Sequence, residues 1–417
     1  MIGALLGVAL AQTLPFARPP AADPCPGICD AARLKPYFDK LARIERDRLT
    51  VRILQIGDSH TAGDQISGAW RAALQARYGN AGRGVLAPGR PYQGYLTKDV
   101  TAQQGPGWTV NGIFGPTYSS ASTTPVGLSN FSATTMAGGA TLSIKADSGN
   151  FDSFRVCALA GPGAGTLTLT LGDAVRTVTL AGDRVETRCE RVDGNAIAAS
   201  LSASGGPVTI TSWATERAQP GVVLSNLGTV GAQFVHFGRT DESVVTAEAA
   251  QYRPDLLVVA FGTNEAFIPK FSARDYASLL RTSIRRMQRL FPDVPMLLLG
   301  APDSATANTA LQTGESGTSL VCTAGLLSPP EGGAAQDWRP TAALAAVQAI
   351  QRRVAHEEGA AFWDWSRAMG GRCTALSWVR AGLMRPDRVH FTTAGGAEIA
   401  RRLQADMDAA AAVVSTR

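Results

Sequence analysis

The stretch ILQIGDSHTAGDQ, residues 53–65, sets four mostly apolar residues against Gly57-Asp58-Ser59-His60 and then departs through small and polar ones. A short strand that ends abruptly on a serine and turns into a helix puts that hydroxyl at the carboxyl edge of a sheet. Open α/β sheets bind their ligands there. The helix start adds backbone N–H groups able to face an anion. Read conservatively, Asp58 and Ser59 only cap that helix.

Outward from this stretch, VRILQI, VVLSNL, LLVVAF, PMLLLG and AAFWDW recur as short runs of Val, Ile and Leu. Amphipathic segments separate them, near 65–78 and over 273–290 for example. Continuous apolar strands alternating with helices indicate a parallel sheet covered on both faces. The expectation is an α/β fold: a three-layer, doubly wound, five-stranded parallel sheet. Between about Lys98 and Gln219 the texture changes to strict alternation, as in ATLSIKA, FRVCALA, GTLTLTLG, VRTVTLAG, IAASLSA and GPVTITSW. Alternation broken by turn residues marks antiparallel strands with one buried face each. This predicts an inserted antiparallel β-sandwich. GPGAGT at 161–166 lacks the lysine of a phosphate loop and sits between strands, so it is read as a hairpin turn.

The domain limits follow: α/β residues 31–97 and 220–417, with the insert at 98–219. The first eleven residues, ending Ala9-Leu10-Ala11, read as a signal peptide, and 12–30 as an N-terminal extension. That apolar run is too short to span a bilayer. Six cysteines fit export to an oxidising compartment, periplasm or cell envelope, and are paired by sequence proximity as Cys25 with Cys29, Cys157 with Cys189, and Cys322 with Cys373. The net charge of +5, from 39 basic and 34 acidic residues without a dense basic run, argues against nucleic-acid binding. The cysteines lie far from the four histidines and show no paired C-x-x-C spacing, so neither a metal nor another cofactor is expected. The segment 302–337, rich in Gly, Ser, Thr and Pro, has the length of a lid or binding loop.

A serine hydroxyl needs a base to become a nucleophile at neutral pH, and the base needs an orienting carboxylate. DRVHF supplies both. Asp387 precedes His390 by three residues, close enough in a turn to accept from Nδ1 and leave Nε2 for Ser59, ahead of a helix beginning near Ala394. His60, His236 and His356 lack a comparably placed acid in the sequence. The oxyanion formed by attack wants fixed donors. Asn264 of GTNE follows the strand LLVVAF, and Gly231 of SNLGTVGAQ follows VVL; together with the Ser59 N–H they are the candidate oxyanion hole.

As a set, GDSH, the Gly231 block, GTNE and DRVHF resemble the four blocks of the SGNH (GDSL-type) hydrolase superfamily, whose Ser, Gly, Asn and His fall here on Ser59, Gly231, Asn264 and His390. GDSHTAGD, FGTNEA, FWDWSRAMGG and the β-sandwich between the serine and glycine blocks are further similar to exported peptidoglycan O-acetylesterases. The resemblance implies a flavodoxin-like sheet, an acetylated polysaccharide substrate and a glycan-binding role for the insert. It also marks a departure: TTAGGAE after His390 carries glycine where that family has an aromatic. Trp108 and Trp213 are candidate sugar platforms or core residues. Asp303 and Asp364, at strand ends, are candidate pocket residues or loop caps. Trp363, Trp365 and Trp378 are read as packing. The rival functions are an O-acetyltransferase with the same triad, a lipase or thioesterase, and a non-enzymatic glycan-binding scaffold.

Overall fold

A computed structural model describes residues 25, 27–307, 322 and 338–415. The signal-peptide expectation and most of the 302–337 segment lie outside these residues. The central sheet runs in the order Ile28–Cys29, Ala361–Trp363, Met296–Leu299, Leu256–Ala260, Thr50–Gly57, Gly221–Gly228. Five strands are parallel, as their apolar runs require, and Ile28–Cys29 adds a two-residue antiparallel edge that no periodicity could announce.

Because successive side chains alternate across a strand, neighbouring residues serve opposite cores. Leu54, Ile56, Leu257, Val259 and Leu298 face the helices Glu242–Tyr252, Ala273–Leu290 and Leu344–Glu357. Val51, Ile53, Leu256, Val258 and Leu297 face Lys35–Leu41, Ile66–Tyr78 and Thr393–Ser415. That is the three-layer, doubly wound arrangement expected. On Ala273–Leu290, Tyr276, Leu280, Ile284 and Met287 form the buried stripe, while Arg281, Arg285 and Arg286 pair with Glu357, Glu358 and Glu242 at the surface.

The insert is two packed antiparallel sheets. One orders Ala174–Thr179, Thr166–Leu171, Ala198–Ser204, Thr141–Ala146, Val100–Gln104; the other orders Glu186–Ala196, Phe151–Ala160, Val208–Glu216, Phe131–Thr135, Trp108–Gly112. Leu167, Leu169 and Leu171 alternate inward with Leu142, Ile144 and Leu201 to build the core between them. The second sheet also takes Gly82–Leu86, a strand ahead of residue 98, which pairs with Val208–Glu216. This strand reads GRGVL, too short and glycine-rich to betray its partner from sequence.

Sandwich and α/β layers share buried contacts. Val85, Leu128, Cys157 and Ala214 belong to the same apolar cluster as Phe237, Val245 and Tyr252. Glu248, buried in its helix, accepts from Leu128 N at 2.6 Å and from the hydroxyls of Thr211 and Ser212 at 2.6 and 2.5 Å. Asp64, wholly buried, accepts from Arg71 at 2.9 Å, Arg83 at 3.3 Å and the Lys98 backbone N–H at 2.9 Å, stitching the chain where it leaves for the insert. The three cysteine pairs expected from sequence proximity are disulfide-bonded.

Candidate active site

The strand Thr50–Gly57 ends in a single helical turn, Ser59–Ala62, whose N-cap is Asp58: its Oδ1 accepts from His60 N at 2.9 Å. Ser59 is the first helical residue, so its N–H has no acceptor within the helix. The capping role considered for Asp58 is therefore real, and it aims Ser59 out of the turn. Burial pushes the Asp58 carboxyl up to about 8, against the lowering effect of the His60 N–H.

At the other end of the chain, Met384 and Phe391 form an antiparallel bridge, and Arg385 N donates to His390 O at 2.7 Å. Inside this turn one oxygen of Asp387 accepts from the backbone N–H groups of Val389 and His390, each at 2.9 Å. The other lies 2.9 Å from His390 Nδ1. His390 Nε2 then sits 2.9 Å from Ser59 Oγ, bringing residues 331 positions apart into contact. Burial raises the Asp387 carboxyl, but the two N–H donors and the imidazole more than offset it, leaving it below the ordinary carboxylate range. The side chains of His390 and Asp387 are 38% and 45% exposed, so water reaches the pair.

The glycines of TTAGGAE have a packing reason. A Cβ on Gly395 would collide with the Leu383 carbonyl, and one on Gly396 would come within 2.7 Å of the Gln65 backbone. The helix Thr393–Ser415 can therefore start close against the turn that carries His390. Behind His390 sits an aromatic cluster: His60 lies 5.4 Å from its ring and also touches Trp365 and Phe391, which stack on each other at 5.6 Å. Trp363, Trp365 and Trp378 are all buried. Burial, with His390 adding to it, depresses His60 to about 3, so this ring stays neutral beside its neighbour.

Gly231 follows the strand Gly221–Gly228 and adopts φ +78, the left-handed region in which glycine carries no steric cost. Its loop is tied to the serine turn by Thr229 N donating to Gly57 O at 3.0 Å. Asn264 stands in the turn Thr263–Ala266 after the strand Leu256–Ala260. Its Nδ2 donates to Ala232 O at 2.9 Å, which joins the two loops and leaves its second N–H available. Glu265 fastens the same junction from beneath, accepting from Phe234 N at 2.9 Å and Gly262 N at 3.0 Å. Burial lifts its carboxyl to about 7 in spite of those donors. Among the described residues the Gly231 N–H makes no hydrogen bond.

Of the four further candidates, three take the capping or core role weighed for them. Asp303 is buried and caps the helix Thr374–Arg380, accepting from Ala375 N at 2.8 Å and Cys373 N at 3.3 Å. Asp364 N-caps Trp365–Met369 through Arg367 N and pairs with Arg352 at 2.9 Å. Trp213 has no exposed surface and packs edge-on against Phe154 in the sandwich core, so no sugar can stack on it. Trp108 is half-buried, packed against that same core with its indole N–H on Thr141 O at 3.1 Å. His356 does find an acid, Asp30 at 2.9 Å, but beside the antiparallel edge strand rather than the serine turn. His60 and Glu265 lie beside these groups without a role in the motif reading; Glu265, three residues past Gly262, carried a capping signal, as Asp58 did. Among the described residues no three His, Cys, Asp or Glu side chains gather as metal ligands.

The model of the GDSL-like lipase/acylhydrolase family matches residues 189–397 of this chain. Ser59 lies outside that span, separated from it by most of the sandwich. A solved structure of a peptidoglycan O-acetylesterase is 27% identical and superposes with a TM-score of 0.72, covering 94% of this chain and 99% of that one. A family two carbohydrate esterase from Cellvibrio japonicus is 12% identical over 74% of this chain and 98% of its own, with a TM-score of 0.26. A salicylyl-acyltransferase of a tetracycline biosynthetic pathway is 12% identical over 75% and 98%, with a TM-score of 0.31. No curated protein matches the chain.

Proposed function

The chain belongs to the GDSL-like lipase/acylhydrolase family and is a carboxylic ester hydrolase, and from that premise we propose that it removes O-acetyl groups from a cell-wall polysaccharide, peptidoglycan foremost. The observation that carries the reading is the continuous relay from Asp387 Oδ2 through His390 to Ser59 Oγ, with both links at 2.9 Å.

In the proposed reaction Ser59 Oγ attacks the acetyl carbonyl carbon while His390 Nε2 takes its proton. The tetrahedral oxyanion is held by the N–H groups of Ser59 and Gly231 and by Asn264 Nδ2. Collapse breaks the bond to the sugar oxygen, which leaves with the proton from His390, and the acetyl group stays on Ser59. Water then gives a proton to His390 and attacks the acyl carbon; a second collapse expels Ser59 Oγ, which regains that proton, and frees acetic acid. Asp387 holds the imidazole in the tautomer with Nδ1–H and stabilises its charged form. Access of water to His390 and Asp387 permits the hydrolytic second step.

Peptidoglycan as substrate is supported by likeness to the peptidoglycan O-acetylesterase over nearly the whole length of both chains. Export to the periplasm or cell envelope fits such a polymer and the disulfides. No helix among the described residues is long and apolar enough to cross a membrane. The test is acetate release from acetylated peptidoglycan, xylan and alginate by wild type and Ser59→Ala. Peptidoglycan should be deacetylated fastest and the variant should be silent. Retained release by Ser59→Ala would overturn the chemistry, and a preference for xylan would overturn the substrate.

A further inference from the structure

The Gly231 loop is held on one side by the serine turn and by Asn264. On another side it meets the insert. Between the sandwich strands Trp108–Gly112 and Phe131–Thr135 the chain makes a long excursion, and Phe114 on it lies against Gly231 so closely that a Cβ there would come within 2.8 Å of the phenyl ring. The same phenyl stacks on His236, with ring centres 4.1 Å apart and planes 21° from parallel. His236 in turn accepts the Gln233 N–H on Nδ1 at 3.0 Å, closing the turn that follows Gly231. Burial, and then Arg239, hold His236 at about 4, which keeps that nitrogen free to accept.

Two further contacts clamp the excursion. Arg239 donates to Ile113 O at 2.8 Å, and its guanidinium lies over the Tyr118 ring at 4.1 Å from the centroid. Beyond them, Asp241 N donates to Val126 O at 2.8 Å and Asn130 Nδ2 to Leu227 O at 3.1 Å. The excursion therefore runs along the whole segment from strand end to helix start that presents Gly231. Val230, the neighbour of Gly231, is 55% exposed and contributes no anchor of its own.

We propose that Phe114, seated by Tyr118 and Arg239, is a positioning residue through which the inserted sandwich holds the Gly231 loop in its oxyanion-binding conformation, so that the insert acts on the chemical step. This rests on the reading of Gly231 N–H as an oxyanion donor. A glycan module that only captured polymer would leave hydrolysis of a small soluble ester untouched, because such an ester needs no polymer contact. A positioning role lowers turnover of the small ester as well, since donors displaced by even an ångström lose much of their effect.

The experiment uses the full-length protein and 4-nitrophenyl acetate, with acetylated peptidoglycan in parallel. Phe114→Ala is expected to lower kcat on the small ester by about tenfold to a hundredfold with KM nearly unchanged. Phe114→Tyr, which keeps the ring stack, should restore it, and Arg239→Gln should fall between. Unchanged kcat on the small ester in Phe114→Ala overturns the proposal, whether or not polymer turnover falls. Should Phe114→Ala not fold, Phe114→Leu keeps apolar bulk without the ring and is read by the same criterion. Ser59→Ala and Asn264→Ala run alongside separate the two layers: activity lost in these and kept in the Phe114 variants refutes the positioning role alone, whereas activity kept in Ser59→Ala refutes the reading beneath it.

Discussion

Replacing Asp387 by Asn changes one atom and should disable the site by a route that can be worked out from the turn. One carboxylate oxygen accepts two backbone N–H groups, from Val389 and His390, and the other faces His390 Nδ1, all at 2.9 Å. Asparagine has a single acceptor oxygen. Left on the two backbone donors, it turns its NH2 toward Nδ1, which must then be unprotonated; the ring proton moves to Nε2, and Nε2–H cannot take the proton of Ser59. Flipping the amide restores the working tautomer but strands two N–H donors against an NH2 group. At about 1–3 kcal/mol per stranded group, the disabling orientation is favoured by roughly 2–6 kcal/mol. The turn is partly exposed, which places the cost toward the lower end. At 1.36 kcal/mol per tenfold, the lower half of that range, about 2–4 kcal/mol, lowers turnover by roughly thirtyfold to a thousandfold with little change in unfolding midpoint. The assay is steady-state acetate release together with a denaturant melt. Asp387→Ala, which leaves Nδ1 to water and both tautomers accessible, should remain more active than Asp387→Asn. The opposite ranking, or an Asn variant within tenfold of wild type, would refute the tautomer argument.

Asn264→Ala should lower kcat by about a hundredfold to a thousandfold while costing only about 1 kcal/mol of stability, the worth of its bond to Ala232 O, measured by kinetics and melting on one preparation. His60 is held neutral at about 3 against an ordinary 6.5, so the unfolded chain binds the proton first; the stability this burial confers is complete above pH 6.5 and is lost as the pH falls toward 3. The loss is at most about 1.36 kcal/mol per pH unit, and His60→Gln should flatten it in denaturant midpoints taken across that range. Asp64→Asn leaves Arg71 and Arg83 buried together without their shared carboxylate, and should cost roughly 3–5 kcal/mol in equilibrium unfolding; a loss below 1 kcal/mol would mean that the network is not what joins the two layers.

How much could be read beforehand follows from how local each signal is. The five parallel strands and the helix Ala273–Leu290 were legible because a buried strand or an amphipathic helix writes its environment into a few consecutive residues. Asp387 and His390 were legible for the same reason, since a turn three residues long contains the hydrogen bonds that join them. Asp303, Asp364 and Trp213 stayed between site and cap or core, because a place near a strand end or in a strand does not say which distant groups the side chain meets; each serves a helix cap or a core.

By itself, then, the amino-acid order determined the layers, the alternating insert, and the residue types delivered to each strand end, because backbone periodicity and turn chemistry act over a handful of neighbours. Only the tertiary structure decided that Ser59 meets His390 across 331 positions, that His60 is shut in neutral behind it, and that Phe114 arrives from the sandwich onto Gly231. Those contacts depend on how whole layers dock, where shape and desolvation summed over many distant groups outweigh any local preference.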